Sequence, residues 1–425
     1  MKCPPNGGRA RAVSWSLATA WFLLAAAVIW AAVLLGPVSS ASASNQIARD
    51  KITPVFAEDR AAPPTITAEA AIVVDMGSGR IVFSHNANAR LPMASTTKIM
   101  TAVIVLESLP LDKKVTISGE AHATGGSALG LQRGEVLSVE QLLYCLLVPS
   151  ANDAAVALAQ ATAGSVKEFV KMMNAKAKTL GLSNTHFVNP SGLHDEKHFS
   201  SAKDLATLTQ HAMQDPVFRR IVRTRSYDLP RPGQDAPRKL KNHNALLAAN
   251  SWVTGVKTGS TPYADYCLVA SGSKDGVSLV SVLLGAADDE TRWEESQALL
   301  DYGFTRFTRT VLADQGRLVA ELDVPNSLGK QIRLVEGQTL VTSLFEEDVV
   351  TCTATLEREP ALPVQIGDVY GTVEFALDGE GMGSVDLVAA QPIERVTLEM
   401  LLSAIREPWA PGLRLDGLLR TASTG

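Results

Sequence analysis

Strand-like patterns lie at both ends of residues 66–305, and helical patterns lie between them. Residues 71–75 and 80–84 flank the turn Gly77-Ser78-Gly79, which predicts a β-hairpin. Three further strand-like runs with short connections follow at 252–257, 267–273 and 277–284. One antiparallel sheet built from both ends of this segment, with helices packed on it, satisfies that order. We therefore expect an α/β (α+β) domain over 66–305.

The helical middle is marked by periodicity and by start signals. Apolar residues recur at helical spacing after Ser95, at Ile99, Ala102, Val103 and Leu106. Ser138-x-x-Gln141 is a capping box that predicts the start of a second helix. Ser165-x-x-Glu168 predicts the start of a third, with Gly181 at its end.

The regions outside this domain have different composition and different secondary-structure patterns. Residues 44–65 are polar and Pro-containing and read as a linker, whereas 310–395 contain short β-like runs that predict a small all-β sandwich. The tail 396–425 is an amphipathic candidate for membrane anchoring, and the alternative is an amphipathic helix that packs on the β domain. Its apolar face would comprise Leu398, Leu401, Leu402, Ile405 and Trp409.

The N-terminus has the pattern of an export signal. Lys2, Arg9 and Arg11 precede an uncharged stretch over 13–35, and Ala41-Ser42-Ala43 forms an A-x-A site. The apolar run is nearly long enough to span a bilayer, so residues 1–43 are either a signal peptide cleaved after Ala43 or a retained signal anchor. In both cases the positive flank keeps the N-terminus cytoplasmic, and the rest of the chain is expected outside.

Composition excludes several classes of partner. The formal net charge of −5 gives no overall basic surface for nucleic acid. No zinc-spaced Cys/His pair occurs, and no metal or cofactor is expected. Of the cysteines, Cys3 precedes the apolar run, and Cys145 and Cys267 lie in apolar runs, where a small buried thiol is the simplest reading.

Three short motifs occur in one order, and they carry the candidate chemistry. They are Ser95-Thr96-Thr97-Lys98, Ser150-Ala151-Asn152 and Lys257-Thr258-Gly259. The S-x-x-K pattern alone is weak, because the chain also contains Ser200/Lys203, Ser271/Lys274 and Ser327/Lys330. The combination is specific, because this set is the known signature of β-lactamases and penicillin-binding proteins.

The first motif supplies a nucleophile and a base. At i and i+3 on a helix, the Lys98 amine lies on the same side as the Ser95 hydroxyl. A serine hydroxyl needs a neighbour to take its proton, and a lysine can do so when burial or another cation lowers its pKa. The alternative for this pair alone is a helix-start serine beside an exposed lysine.

The other two motifs supply assisting groups. Ser150 could relay a proton to a leaving amine, and Asn152 could hold Lys98 or the substrate; the alternative is that Asn152 only caps a helix. Lys257 and Thr258 suit a terminal carboxylate, at what reads as a strand end, and Gly259 would admit a substrate backbone. The N–H groups of Ser95 and Ser260 would form an oxyanion hole.

The chain resembles the low-molecular-weight penicillin-binding proteins, the D-alanyl-D-alanine carboxypeptidases. The three motifs carry the resemblance, and further matching stretches extend it over roughly 330 residues. These stretches are Asn189-Pro190-Ser191-Gly192-Leu193, Ser201-Ala202-Lys203-Asp204-Leu205-Ala206 and Leu377-Asp378-Gly379. Two departures are visible: Thr254 stands where many relatives have Asp, and Ala151 replaces a common Gly.

The resemblance implies a serine acyl-enzyme that removes the terminal D-alanine from peptidoglycan stem peptides at the extracytoplasmic face of the cell membrane. It implies that β-lactams are covalent inhibitors and that no metal is used. Ser95 would be the nucleophile and Lys98 the base, with Ser150 and Asn152 assisting and Lys257 and Thr258 binding the substrate carboxylate.

Three competing functions remain open. A β-lactamase would share the motifs, but no Glu-x-x-Leu-Asn element for a deacylating base lies between the second and third motifs. A catalytically silent wall-binding or penicillin-sensing protein would not need the full set of catalytic residue types. Endopeptidase activity on cross-links uses the same chemistry, so the sequence does not separate it from carboxypeptidase activity.

Overall fold

The protein is represented by a computed structural model that describes residues 46–56, 61–231 and 236–406. The helices of these residues, which we number in chain order, are α1 Lys98–Ser108, α2 Gly119–His122, α3 Val139–Leu147, α4 Asn152–Ala163, α5 Val166–Thr179, α6 Ala202–Ala212, α7 Pro216–Val222, α8 Leu246–Ala249, α9 Asp289–Thr305 and α10 Leu398–Arg406.

The strands up to α9 are β1 Gln46–Ile52, β2 Ala70–Asp75, β3 Ile81–His85, β4 Lys114–Thr116, β5 Val136–Ser138, β6 Ser226–Leu229, β7 Arg238–Lys241, β8 Val253–Thr261, β9 Asp265–Lys274 and β10 Val277–Ala286. The strands after α9 are β11 Phe307–Ala313, β12 Leu318–Asp323, β13 Gln331–Glu336, β14 Leu340–Phe345, β15 Val350–Leu356, β16 Val369–Leu377 and β17 Glu380–Ala389.

The segment from β2 to α9, which we call the main region, is built on one antiparallel sheet from both of its ends. The strand order is β3-β2-β10-β9-β8, so the early hairpin pairs with the late strands, as the sequence predicts. Alternate residues of β2 enter different cores: Ile72 and Val74 pack with the helices, whereas Ala71 and Val73 pack on the side of α9. The sheet is therefore buried on both faces.

The helical layer places the candidate site above this sheet. Helix α1 is buried along most of its length and packs against α3, α4 and α6. The predicted capping box opens α3: Ser138 accepts from the Gln141 N–H at 3.1 Å, and the Gln141 side chain accepts from the Ser138 N–H at 2.8 Å. This rigid frame fixes the helix that follows Ser95.

The segment from β11 to β17, which we call the C-terminal β region, confirms the predicted β domain. One sheet has six strands in the order β1-β15-β16-β17-β13-β12, and a second has β11 and β14. Leu312 of β11 and Leu344 of β14 share one apolar core with Val373 and Phe375 of β16. The fold is therefore an α+β domain followed by a β-sandwich.

The structure differs from the predicted linker at the N-terminal side. Residues 46–52 are not a linker but form β1, which pairs antiparallel with β15 at the edge of the six-stranded sheet. An edge strand needs few apolar residues, and here Ile47 and Ile52 pack against the core from an otherwise mostly polar segment, which explains why the sequence did not reveal it. Residues 53–56 and 61–65 contain no regular structure.

Both chain ends fall largely outside the described residues. The predicted signal segment 1–43 and the tail beyond Arg406, including Trp409, are among them. Helix α10 is described, and its Leu398 and Leu402 side chains are exposed. Within residues 46–56, 61–231 and 236–406, no helix is both long and apolar enough to cross a membrane.

Candidate active site

Ser95 lies in a single 3₁₀ turn, Ala94–Thr97, that leads directly into α1. We call this segment the nucleophile turn. Its first residue, Ala94, has a φ of +47°, in the left-handed region that an L-residue adopts only at a cost. Hydroxyl groups hold the turn from inside: Thr96 Oγ1 donates to Met93 O at 2.7 Å and Thr97 Oγ1 to Ala94 O at 2.8 Å.

The Lys98 amine lies at the centre of the site and has three oxygen neighbours. Its Nζ is 2.8 Å from Ser95 Oγ, 2.7 Å from Asn152 Oδ1 and 2.7 Å from the carbonyl oxygen of Ser191. The Asn152 amide cannot be turned around, because its Nδ2 donates to Gly125 O at 2.9 Å. Two of the three neighbours are therefore acceptors only, and the third is a hydroxyl.

Electrostatics favour the neutral form of this amine. Burial holds the pKa of Lys98 well below its ordinary value, the nearby Lys257 cation lowers it further, and Asp153 opposes both effects. A neutral amine has two N–H groups and one lone pair. The N–H groups match the two obligatory acceptors, so the lone pair is directed at Ser95 Oγ. This geometry fits a base poised to take the serine proton.

Asn152 does not cap a helix, although its position suggested this alternative. Helix α4 begins at Asn152 itself, Ala151 occupies the cap position, and no side-chain cap bond forms. The Asn152 side chain instead joins Lys98 to the Gly125 backbone. Within the second motif, Asn152 therefore holds the amine of Lys98 in position.

Ser150 lines the cleft beside these residues. Its backbone has a φ of +66°, and its Oγ is buried without a hydrogen-bond partner among the described residues. Ser281 and Ser296 have buried hydroxyls of the same kind away from the cleft, so it is the position of Ser150 in the cleft that makes it a candidate for the chemistry.

The third motif lies inside β8 and not at its end, because the strand continues to Thr261. Lys257 is buried, and its Nζ donates to the carbonyl oxygen of Thr258 at 2.8 Å. Burial, together with the nearby Arg292 guanidinium, lowers the pKa of Lys257 to about 7. The motif thus places a second buried amine behind the cleft.

Two glycines permit close approach to the nucleophile turn. A Cβ at Gly259 would lie 3.0 Å from both Ser95 N and Met93 O, and a Cβ at Gly192 would lie 1.9 Å from Ala94 O. The sequence led us to expect that Gly259 admits a substrate backbone. That expectation stays a prediction, and the structure shows that the missing side chain of Gly259 also makes room for the protein's own nucleophile turn.

The predicted residues meet at one cleft of about 470 Å³. Ser95, Ser150, Thr258, Gly259 and Ser260 line it. Lys98 and Asn152 lie directly behind Ser95, and Lys257 lies behind Thr258. All eight residues chosen from the sequence are thus brought to one place.

Sequence reasoning missed residues that come from distant elements. Arg292 of α9 lines the cleft, donates to Gly259 O at 3.3 Å and pairs with Asp289. His243 lines the same wall, and burial followed by Lys257 lowers its pKa. The Ser191 carbonyl was also missed, although its Asn-Pro-Ser-Gly stretch carried the resemblance. Only the fold brings these groups together, so no local signal reveals them.

The cysteines that the structure describes do not line this cleft. Cys145, Cys267 and Cys352 are free thiols, and the first two are buried. Burial raises the pKa of Cys267 to about 12 and that of Cys145 further still. Among the described residues no group of three His, Cys, Asp or Glu side chains could hold a metal ion.

Comparison with known proteins identifies the family. Residues 57–288 match the peptidase S11 family, described as D-alanyl-D-alanine carboxypeptidase. The chain is 33% identical to the D-alanyl-D-alanine carboxypeptidase DacF of Bacillus subtilis, covering 80% of this chain and 90% of that protein. It is 34% identical to DacC of Escherichia coli, covering 80% of this chain and 88% of that one.

Solved structures agree. The DD-transpeptidase of Streptomyces K15 matches with a TM-score of 0.55 and 36% identity, over 57% of this chain and 99% of that one. Penicillin-binding protein 5 of Haemophilus influenzae matches with a TM-score of 0.56 and 30% identity, over 79% of this chain and 100% of that one. The resemblance drawn from the motifs is confirmed, and the chain belongs to the D-alanyl-D-alanine carboxypeptidases of the S11 family of serine peptidases.

Proposed function

We propose that this carboxypeptidase removes the terminal D-alanine of peptidoglycan stem peptides through an acyl-enzyme on Ser95, and that β-lactams acylate the same oxygen. The observation that supports this assignment best is the bonding of Lys98 Nζ. Two acceptor-only oxygens occupy its N–H groups, and the remaining neighbour is the Ser95 hydroxyl at 2.8 Å.

Acylation follows from that contact. Lys98 takes the Ser95 proton as Oγ attacks the carbonyl carbon of the penultimate D-alanine. The N–H groups of Ser95 and Ser260 are assigned to the oxyanion that forms. When the peptide bond breaks, the nitrogen of the leaving D-alanine takes a proton, and we assign the relay of this proton from Lys98 to the hydroxyl of Ser150, which lines the same cleft.

The terminal carboxylate of the substrate is assigned to the Thr258 side of the cleft. Thr258 offers a hydroxyl there, with the Lys257 amine directly behind it and the Arg292 guanidinium on the same wall. A carboxylate in this position would favour the charged form of Lys257, because an opposite charge raises a lowered lysine pKa. The departure at Thr254 does not enter the cleft, since its hydroxyl bonds with Ser271 Oγ at 2.7 Å.

Hydrolysis completes the cycle. A water that replaces the leaving D-alanine attacks the ester carbonyl, and the proton it loses passes to Lys98, which returns a proton to Ser95 Oγ. The products are the shortened stem peptide and free enzyme. No base beyond Lys98 is required by this sequence of steps.

We place the enzyme outside the cytoplasmic membrane, where peptidoglycan is exposed. The positive flank and apolar stretch over 13–35 support export. The exposed Leu398 and Leu402 of α10, followed by a leucine- and arginine-rich tail, support contact of the C-terminus with the membrane surface. Vesicle sedimentation of a chain starting at Ser44 tests this contact, which truncation after Glu394 should abolish without reducing D-alanine release.

The acyl-enzyme is tested by mass spectrometry after treatment with penicillin. The adduct is expected on the peptide that contains Ser95 and is expected to be absent from Ser95→Ala. Ser327→Ala is the matched control, because Ser327 and Lys330 repeat the S-x-x-K spacing outside the site. An adduct retained in Ser95→Ala would refute the assignment.

Release of D-alanine from a stem pentapeptide separates the competing functions. The wild-type enzyme is expected to release D-alanine and to remain acylated by penicillin. A β-lactamase would turn penicillin over without releasing D-alanine, and a silent binding protein would do neither. A substrate of two cross-linked stem peptides, assayed in parallel, measures endopeptidase activity.

A further inference from the structure

His198 is a buried histidine next to the site that has no part in the reaction as assigned above. It lies between the two central stretches, 189–193 and 201–206, and is only 4% exposed. Each of its ring nitrogens has one partner. Nδ1 is 2.9 Å from the backbone nitrogen of Val188, and Nε2 is 2.8 Å from Thr97 Oγ1.

These partners determine which nitrogen carries the proton. The backbone N–H of Val188 can only donate, so Nδ1 accepts and is unprotonated. Nε2 therefore carries the hydrogen and donates it to Thr97 Oγ1. Burial lowers the pKa of His198 to about 4, so the ring is neutral at ordinary pH. The ring of Phe187, packed edge-on at 5.8 Å, fixes its plane.

The hydrogen bond continues into the nucleophile turn. Since Thr97 accepts from His198, its own hydroxyl hydrogen is left for Ala94 O, at 2.8 Å. Ala94 is the residue of this turn with the left-handed backbone, and its carbonyl oxygen is also the atom that would lie nearest to a Cβ at Gly192. A strained residue persists only where its surroundings hold it in place.

Thr97 lies between Ser95 and Lys98 in the chain, so a bond that holds Thr97 restrains the backbone that carries both side chains. We propose that His198 is a positioning residue for acylation: acting through Thr97, it holds the nucleophile turn so that Ser95 Oγ stays within hydrogen-bond reach of Lys98 Nζ. This inference rests on the proposed acyl-enzyme at Ser95. It gives the segment between residues 189 and 206 a role in positioning the nucleophile, beyond its packing in the core.

The test compares first-order acylation by saturating penicillin in the full chain. His198→Leu removes the donor and is expected to acylate at least ~10-fold more slowly, because small misplacements of reacting groups cost up to about 10²-fold. The apparent penicillin dissociation constant should change little. His198→Gln keeps an N–H near the position of Nε2 and should recover most of the rate.

His186→Leu is the matched control. His186 lies in the same segment, but its ring is exposed and bonds only to the Lys197 carbonyl, so its loss should leave the acylation rate unchanged. Thr97→Val removes the intermediate hydroxyl. If the two residues act through one series of hydrogen bonds, adding His198→Leu to Thr97→Val should cause little further loss of acylation rate.

The outcomes separate the inference from the function on which it rests. The positioning role would be overturned if His198→Leu were acylated at the wild-type rate. It would also be overturned if His198→Gln were acylated as slowly as His198→Leu. Fully additive losses in the double variant would overturn it as well. If His198→Leu does not fold, Thr97→Val decides, because a normal rate there contradicts the chain of bonds. Failure of the wild-type enzyme to be acylated on Ser95 would instead refute the proposed function.

Discussion

The main region and the C-terminal β region contain buried charge in different ways. In the main region, the buried amines of Lys98 and Lys257 lie beside the cleft, and neither forms a salt bridge within the described chain. In the C-terminal β region, the buried carboxylates of Glu336 and Asp348 pair with Arg317 and Arg80, at 2.6 and 2.7 Å. Burying an amine without a carboxylate partner is costly, so these two lysines mark a place where stability is given up for chemistry.

The largest effect is expected when the central base is changed. Lys98→Arg keeps a cation but removes the lone pair, because arginine stays protonated. Acylation of Ser95 should fall by about 10²–10⁴-fold, the usual effect of losing a general base. Lys330→Arg makes the same change outside the cleft and should leave the rate unaltered. A normal acylation rate in Lys98→Arg, measured by stopped-flow with a chromogenic β-lactam, would assign the base to another group.

A cavity in the C-terminal β region should affect stability and not chemistry. Phe375 is 1% exposed in that core, so Phe375→Ala should lower the free energy of unfolding of the region by about 3–5 kcal/mol. Denaturant melts measure this loss, and acylation measured below the transition should be unchanged. A proportional drop in the acylation rate would mean that packing in the C-terminal β region also controls the cleft.

Two glycines with nearly the same φ angle, one in each region, allow a direct comparison of the regions. Gly192 has a φ of +87° and Gly379 a φ of +86°, but only the Cβ at Gly192 would meet other atoms, at 1.9 Å from Ala94 O. Both alanine variants carry left-handed strain of about 1–2 kcal/mol. Only Gly192→Ala should displace the nucleophile turn, slowing acylation by about 10²-fold. Equal rates in the two variants would show that the close approach is unimportant.

The smallest expected effect is a gain in stability at the cleft. Lys257→Met should stabilise the protein by on the order of 1 kcal/mol at pH 6, because it removes a buried charge that has no salt bridge within the described residues. The pKa of Lys257 is about 7 when folded and about 10.4 when unfolded, so the unfolded chain binds more protons between these values. Wild-type stability therefore rises over that range, and the advantage of Met should shrink by pH 9. An advantage that grows with pH would contradict the assignment.

Local chemistry made much of the fold and site predictable. The capping box at Ser138, the hairpin after Gly77 and the three motifs each depend on residues close in sequence, and the structure contains all of them. Strand β1 could not be predicted, because its sequence QIARDKI shows no apolar alternation. Arg292 and the Ser191 carbonyl could not be predicted either, because they reach the cleft only through tertiary contacts.

The protonation state of Lys98 in the resting enzyme is the central claim, and its ¹³Cε chemical shift reports it directly. Lysine-labelled wild-type protein, compared with Lys98→Arg to assign the signal, would be titrated from pH 6 to 11. The account predicts that Lys98 loses its proton well below the ordinary lysine pKa, because burial lowers its pKa and Lys257 lowers it further. A signal that stays in the ammonium form until about pH 10.4, the ordinary lysine value, would contradict it.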